Sequence, residues 1–266
     1  MDYLKEKIER GECLFGTHIS CCDMTNVEII GNCGFDYLWI DMEHSPITKE
    51  VVQSHLTAAR ACQDKVATFI RVAWNDPVIV KPLLDMGPTG IVFPMIRCRA
   101  DAELACASCT YPPNGIRGYS PRAVVRYGLD DAQDYIHNRS NKIWVICQIE
   151  TREAYENLDD ILECERVDGY IIGPMDLSGQ FGKLGQLMDP EIDNVINEIV
   201  KKVRAKGKPC GISVGGFDYN FIKHWLEKGI NMISVGGDVS FMRSGSLQAL
   251  QNLNNAYKDV LALKSL

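Results

Sequence analysis

Eight times along the chain, a short run of β-branched and aromatic residues is followed by a segment of helical periodicity. That alternation constrains the fold more than any other feature of the sequence. The runs fall at 14–19, 37–40, 67–72, 90–94, 143–149, 169–172, 209–214 and 231–235. Amphipathic segments separate them, among them 50–62, 77–86, 100–109, 151–164, 191–206 and 217–228. Strands apolar on both faces and separated by helices belong to a parallel sheet with helices outside. Eight such units fit a closed (β/α)8 barrel, an α/β fold that takes about 250 residues as one domain. The 266 residues are therefore read as a single TIM-barrel domain, 1–266. No Gly-x-Gly-x-x-Gly follows the first run, which argues against a dinucleotide-binding open sheet.

The joints carry matching chemistry. Asn75-Asp76-Pro77 offers an N-cap and then proline at the first helical position. Thr151-x-Glu153 opens another helix with an acceptor side chain and an early acid. Gly87, Gly207 and Gly229 fall where helices should end in a left-handed cap. The exception to this regularity is 111–136, a turn-rich insertion with three arginines. Long insertions on a compact domain tend to be binding loops or lids.

Charge and cysteine content narrow the class. Lys plus Arg number 28 against 35 Asp plus Glu, a net −7, which argues against nucleic-acid or anionic-membrane partners that need a basic surface. No run approaches the roughly 20 apolar residues of a membrane span, and the start is a charged amphipathic segment, so a cytosolic protein is expected. The eleven cysteines are odd in number and scattered, which reads as reduced core thiols. Cys106-x-x-Cys109 has no second pair to complete a zinc site and is read as two thiols on one helical turn.

Catalytic groups of such barrels stand at the carboxyl ends of the strands. Those positions hold Asp41-Met42-Glu43-His44, Arg71, Gln148 with Glu150, and Gly173-Pro174-Met175-Asp176. An imidazole, a guanidinium and several carboxylates thus converge on one rim from distant parts of the sequence. Each has a plainer role open to it: Asp41 or Asp176 as caps, His44 as a solvated turn residue, Arg71 as an ion-pair partner of Asp41 or Glu43. Glu150 is harder to explain away, since an ionised carboxylate ending an apolar strand needs a compensating charge. Two rim carboxylates among oxygen ligands suit Mg2+ or Mn2+ with waters completing the shell. His18 points toward the same rim; Trp39, Trp74, Trp144 and Trp225 are read as packing between strands and helices.

Five strings carry a resemblance: Gly34-Phe35-Asp36-Tyr37-Leu38-Trp39-Ile40-Asp41-Met42-Glu43-His44-Ser45-Pro46, Trp74-Asn75-Asp76-Pro77, Tyr111-Pro112-Pro113-Asn114-Gly115-Ile116-Arg117-Gly118, Gln148-Ile149-Glu150-Thr151-Arg152-Glu153-Ala154 and Ile172-Gly173-Pro174-Met175-Asp176-Leu177-Ser178. In this order the chain resembles the HpcH/HpaI aldolases, class II enzymes that include 4-hydroxy-2-oxoheptanedioate and 2-dehydro-3-deoxyglucarate aldolases. The resemblance implies a barrel of the phosphoenolpyruvate/pyruvate type, a terminal helix exchanged between subunits and a hexamer. It implies a divalent ion (Mg2+, Mn2+ or Co2+) held by Glu150 and Asp176, His44 as proton acceptor and Arg71 as transition-state stabiliser. Gln148, Met175 through its backbone, Asp176 and Arg71 would touch the 2-oxo acid. Asp85 matches an acid that raises the basicity of the histidine, although the end of its helix should face the opposite rim and could reach His44 only across a subunit interface.

The expected reaction is metal-dependent cleavage of a 4-hydroxy-2-oxo acid to pyruvate or a close 2-oxo acid and an aldehyde. No lysine stands at the strand ends considered, which disfavours Schiff-base chemistry. Histidine at position 18, the bulky basic loop 119–122 and the segment 211–213 depart from familiar members. They suggest a polar or anionic aldehyde received by Arg122 or His18. Two other readings stand beside this one: a citrate-lyase-like or malyl-CoA-type lyase on the same fold, and a non-catalytic 2-oxo-acid-binding barrel.

Overall fold

A computed structural model of the chain describes residues 2–63 and 65–264. Helix α1 (Asp2–Glu9) leads into β1 (Leu14–Ile19), and α2 (Met24–Gly31), β2 (Tyr37–Asp41), α3 (Lys49–Ala61) and β3 (Ala67–Arg71) follow. Next come α4 (Pro77–Met86), β4 (Gly90–Phe93), α5 (Arg99–Cys109) and the single turn α6 (Ala132–Asp134), then β5 (Trp144–Ile149). The short helices α7 (Arg152–Glu156) and α8 (Leu158–Ile161) precede β6 (Gly169–Ile172), α9 (Pro174–Gln180) and α10 (Pro190–Ala205). Strand β7 (Cys210–Val214), α11 (Tyr219–Glu227), β8 (Met232–Gly237) and α12 (Asp238–Lys264) complete the chain. The strands pair in sequence order, all parallel, and β8 closes on β1, so the fold is the (β/α)8 barrel read from the alternation.

Side-chain parity explains how the barrel fills and what reaches its rim. Alternate residues along a strand face opposite sides. Leu14, Tyr37, Trp39, Ala67, Phe69, Val92, Trp144, Ile146, Ile171 and Met232 form the inner cluster, closed at the amino end by Leu4 of α1. Leu38, Ile40, Ile70, Val145, Cys147, Ile149 and Ile172 point outward into the larger core beneath the helices. Stepping by two from the inner set leads to Asp41 after Trp39, Arg71 after Phe69, Gln148 after Ile146 and Gly173 after Ile171. The interior is filled below by aromatics and turns polar only at its carboxyl end.

The caps form as expected: the Asp76 side chain accepts from Val78 N, Thr151 from Ala154 N, and Gly87 takes φ 81° after α4. Three expectations need correction. The segment 151–164 is two short helices, because Asn157 leaves helical geometry at φ −94°, ψ 9° and its amide donates to Arg97 O at 3.0 Å. Trp74 is 49% exposed rather than packed, since it lies in the loop after β3. Trp39 and Trp144 fill the barrel itself instead of the strand–helix layer.

The insertion after α5 has a small core of its own, Tyr111, Val125 and Tyr135. Arg117 stacks on Tyr111 with its guanidinium 4.4 Å from the ring centre. Helix α12, 27 residues and roughly 40 Å long, leaves the barrel with Leu247, Leu250, Leu253, Tyr257, Val260 and Leu261 exposed. Their spacing of three and four residues puts them on one stripe. No helix among the described residues is long and apolar enough to cross a membrane.

Candidate active site

A cavity of about 410 Å³ opens at the carboxyl end of the barrel, lined among others by His18, Asp41, His44, Arg71, Gln148 and Asp176. Residues from β1, β2, β3, β5, β6, β7 and β8 or the loops just after them share this one opening.

Register across β2 and β3 sets Asp41 opposite Arg71. Arg71 Nε donates to Asp41 Oδ1 at 3.0 Å and Nη2 to Oδ2 at 2.8 Å, a two-pronged clamp. Its Nη1 lies 3.1 Å from Glu43 Oε2, and its guanidinium sits 5.4 Å from the Trp39 ring centre. Asp41 Oδ1 also accepts from the backbone N–H of Glu43 and His44. Burial alone would raise the Asp41 carboxyl, but Arg71 and these backbone donors hold it below its ordinary value. Asp41 thus both caps the turn that presents His44 and aims the guanidinium, two roles that sequence reasoning treated as alternatives to catalysis. Planar bidentate pairing fixes a guanidinium in a way a lysine ammonium cannot reproduce.

Glu150 lies just past the end of β5 and is buried. Its Oε1 accepts from Met95 N at 2.7 Å, and Gln148 Nε2 donates to Oε2. Met95 holds this N–H in place from a left-handed backbone conformation, φ 54°, uncommon for a residue with a side chain. Burial pushes the Glu150 carboxyl up to about 7, and the nearby charges of Glu43 and Asp176 push in the same direction. Glu43 rises to about 6, again chiefly by burial. Gly173 makes this crowding possible: a Cβ there would stand 2.6 Å from Glu150 Oε2 and 2.7 Å from Gln148 Nε2.

These features suit a cation. Carboxylates that raise one another's pKa attract positive charge, and Gln148 Oε1 is a buried acceptor without a hydrogen-bond partner. Among the described residues no three His, Cys, Asp or Glu side chains converge into a closed metal cage. The donor set is of the open kind, in which two carboxylates hold an ion and water or substrate oxygens complete the shell.

His44 is 64% exposed, with Nε2 3.8 Å from Glu43 Oε2, so it can meet a substrate in the opening. His18 is held differently. Its Nδ1 donates to Gly236 O at 2.7 Å, leaving Nε2 to accept from Ser213 Oγ at 2.9 Å. Burial foremost lowers its pKa, so the ring stays neutral. Met175 lines the opening at the start of α9.

Two residues singled out from the sequence lie elsewhere. Asp85, at the end of α4, accepts from Arg117 Nη2 at 3.2 Å and shares a separate cavity with Arg122. Helices run antiparallel to the strands they follow, so the end of α4 faces the amino rim and Asp85 does not approach His44 within the chain. Arg122 goes with Asp85 and does not line the opening. Besides Arg71, the cation that does is Arg243, on the second turn of α12, which has no ion pair among the described residues. Asp238, also missed, accepts from the backbone N–H of Ser20 and Cys21 and ties the start of α12 to the end of β1. Nothing in the local sequence announces Arg243.

Comparison with known proteins bears on this geometry. Residues 15–244 match the HpcH/HpaI aldolase/citrate lyase family. A 4-hydroxy-2-oxo-heptane-1,7-dioate aldolase of Klebsiella pneumoniae subsp. pneumoniae is 34% identical over 242 residues, covering 91% of this chain and 90% of that protein. Among solved structures, an HpcH/HpaI aldolase/citrate lyase family protein from Burkholderia cenocepacia J2315 superimposes with a TM-score of 0.88 at 29% identity, covering 96% of this chain and all of that one. The citrate synthase SbnG superimposes at 0.83 with 26% identity, over 96% of this chain and 98% of its own.

Proposed function

The chain belongs to the HpcH/HpaI aldolase/citrate lyase family, and from that premise we propose that it is a divalent-metal-dependent aldolase cleaving a 4-hydroxy-2-oxo acid to pyruvate, or a close 2-oxo acid, and an aldehyde. The observation that carries the reading is the pairing on one rim of a guanidinium locked by Asp41 with a buried Glu150 whose carboxyl is raised to about 7.

Glu150 and Asp176 would hold Mg2+, Mn2+ or Co2+, and the ion supplies a Lewis acid for the carboxylate and 2-oxo group of the substrate. His44 takes the proton of the 4-hydroxyl. The C3–C4 bond then breaks, its electron pair passes toward the C2 oxygen, and the aldehyde departs. Arg71 stands ready for the developing enolate charge without having to reorient, because Asp41 already fixes its plane. Gln148 and the Met175 backbone position the 2-oxo acid. The neutral His18–Ser213 pair and Arg243, which has no ion pair among the described residues, make this part of the opening polar, which suits an aldehyde carrying hydroxyl or anionic groups. Assembly through α12 is part of the same reading: its apolar stripe has no cover among the described residues, and a second copy would bury it.

Membership of a family that includes citrate lyases and likeness to the citrate synthase SbnG favour one further reading, a citrate-lyase-like enzyme on the same fold. The test is deuterium exchange from solvent into the methyl group of pyruvate, followed by proton NMR with and without Mg2+ or Mn2+. Exchange that requires metal and collapses in Glu150→Ala and Arg71→Ala is the expected result. Absence of exchange with every metal would sink the aldolase reading.

A further inference from the structure

Four of the cysteines meet in the layer between the barrel wall and its helices: Cys106 and Cys109 of α5, Cys147 of β5 and Cys164 just after α8. They are not equivalent. Cys106 Sγ and Cys164 Sγ lie 3.6 Å apart although 58 residues separate them along the chain. Both are largely buried, 6% and 7% exposed, and both line a cavity of about 890 Å³ rimmed by Arg99, Glu103, Glu163 and Arg166. Cys109 and Cys147 lie deeper, and burial pushes their thiols up, Cys109 to about 12.

The two sulfurs divide the chemistry between them. Either sulfur can donate its S–H to the other; with Cys106 as the donor, the Cys164 thiol is lowered and the proton stays on Cys106. A thiolate beside a thiol at the wall of a cavity is the arrangement in which one sulfur attacks an oxidant and the other resolves the product. A disulfide needs the sulfurs at about 2.05 Å, roughly 1.5 Å closer than the 3.6 Å at which they stand.

We propose that Cys106 and Cys164 form a redox pair that a hydroperoxide converts to a reversible disulfide. The Cys164 thiolate attacks the peroxide oxygen, the O–O bond breaks and a sulfenic acid forms as the first water leaves. Cys106 then attacks that sulfur, the S–S bond forms and the second water leaves. Two thiols lose two electrons and two hydrogens, and hydrogen peroxide is reduced to two waters. The bond ties α5 to the turn entering β6, near the amino rim. It leaves Arg71, Glu150 and Asp176 at the opposite end untouched.

The full-length protein, reduced and desalted, is treated with hydrogen peroxide, alkylated in denaturant and digested with trypsin without reduction. Cleavage after Arg99, Arg117, Arg152 and Arg166 gives peptides 100–117 and 153–166. The expected product is these two peptides joined, released by dithiothreitol, absent in Cys164→Ser and in Cys106→Ser, and retained in Cys109→Ser. Peptides found alkylated at both positions, at a dose that oxidises the exposed Cys33, would overturn the proposal. So would Cys164 recovered as sulfinic or sulfonic acid with no linked peptide, or a link that depends on Cys109.

Discussion

Adding one methyl group at Gly173 should disable the site while leaving the barrel folded. Gly173 has φ −92°, a conformation open to alanine, so the backbone does not resist the change. The difficulty is space: the new Cβ would meet Glu150 Oε2 at 2.6 Å, Gln148 Nε2 at 2.7 Å and Glu150 Cβ at 2.8 Å. Each falls 0.6–0.8 Å short of the 3.4 Å at which ordinary contact begins. If Glu150 yields by that amount, its 2.7 Å bond from Met95 N stretches to about 3.4 Å, beyond useful hydrogen-bond length. Glu150, in its proposed role as a metal ligand, would by such a displacement leave the roughly 0.2 Å tolerance of a coordination shell. The expected cost is about 1–3 kcal/mol in stability, as for other overpacked sites, and about a hundredfold in metal-dependent pyruvate exchange. Gly169→Ala is the control, because its Cβ contacts on the same strand are 3.5–3.7 Å. Proton NMR exchange rates and urea unfolding of both variants provide the readout. A Gly173→Ala protein that exchanges pyruvate at the parent rate would refute the close-packed cradle and the role given to Glu150.

Three other perturbations follow from the same geometry. Glu150→Gln should stabilise the chelator-treated protein at high pH. The folded carboxyl is raised from 4.5 to about 7, so its favourable contribution is complete below pH 4.5 and lost as pH rises through 7, by about 2–4 kcal/mol. Gln148 can turn its unpartnered Oε1 toward the new amide. Urea unfolding at about pH 5 and about pH 8 tests this, and equal pH dependence in parent and variant would contradict it. Arg71→Lys breaks the two-pronged pairing with Asp41 and should reduce kcat about 10²–10³-fold with a smaller change in KM; steady-state kinetics showing only a KM effect would count against it. Leu250→Glu with Leu253→Glu, on the exposed stripe of α12, should dissociate the proposed assembly, as read by light scattering, whereas a parent protein that is monomeric at micromolar concentration would rule that assembly out.

What the sequence made legible follows from which forces are local. Strand and helix alternation, Asp76 and Thr151 as caps and Gly87 as a left-handed terminus depend on neighbours within four residues, and each stands where local pattern puts it. His44, Arg71, Gln148, Met175 and Asp176 come to one opening because strand ends converge in a closed barrel, so knowing the fold was enough to gather them. The misreadings are all non-local. Asn157 splits a helix by reaching Arg97 O, 60 residues away. Arg122 is drawn from the opening by an insertion that packs on Tyr111 and Tyr135 and delivers Arg117 to Asp85. Arg243 arrives at the rim only because Asp238 anchors α12 to the end of β1. On the proposed reading, the 2-oxo-acid half of the opening is built largely from strand ends whose positions the barrel dictates. The aldehyde half would be built from the side chains of His18 and Ser213 at the ends of β1 and β7 and from a helix-borne arginine, and it is there that selectivity would drift while the proposed enolate chemistry stays fixed.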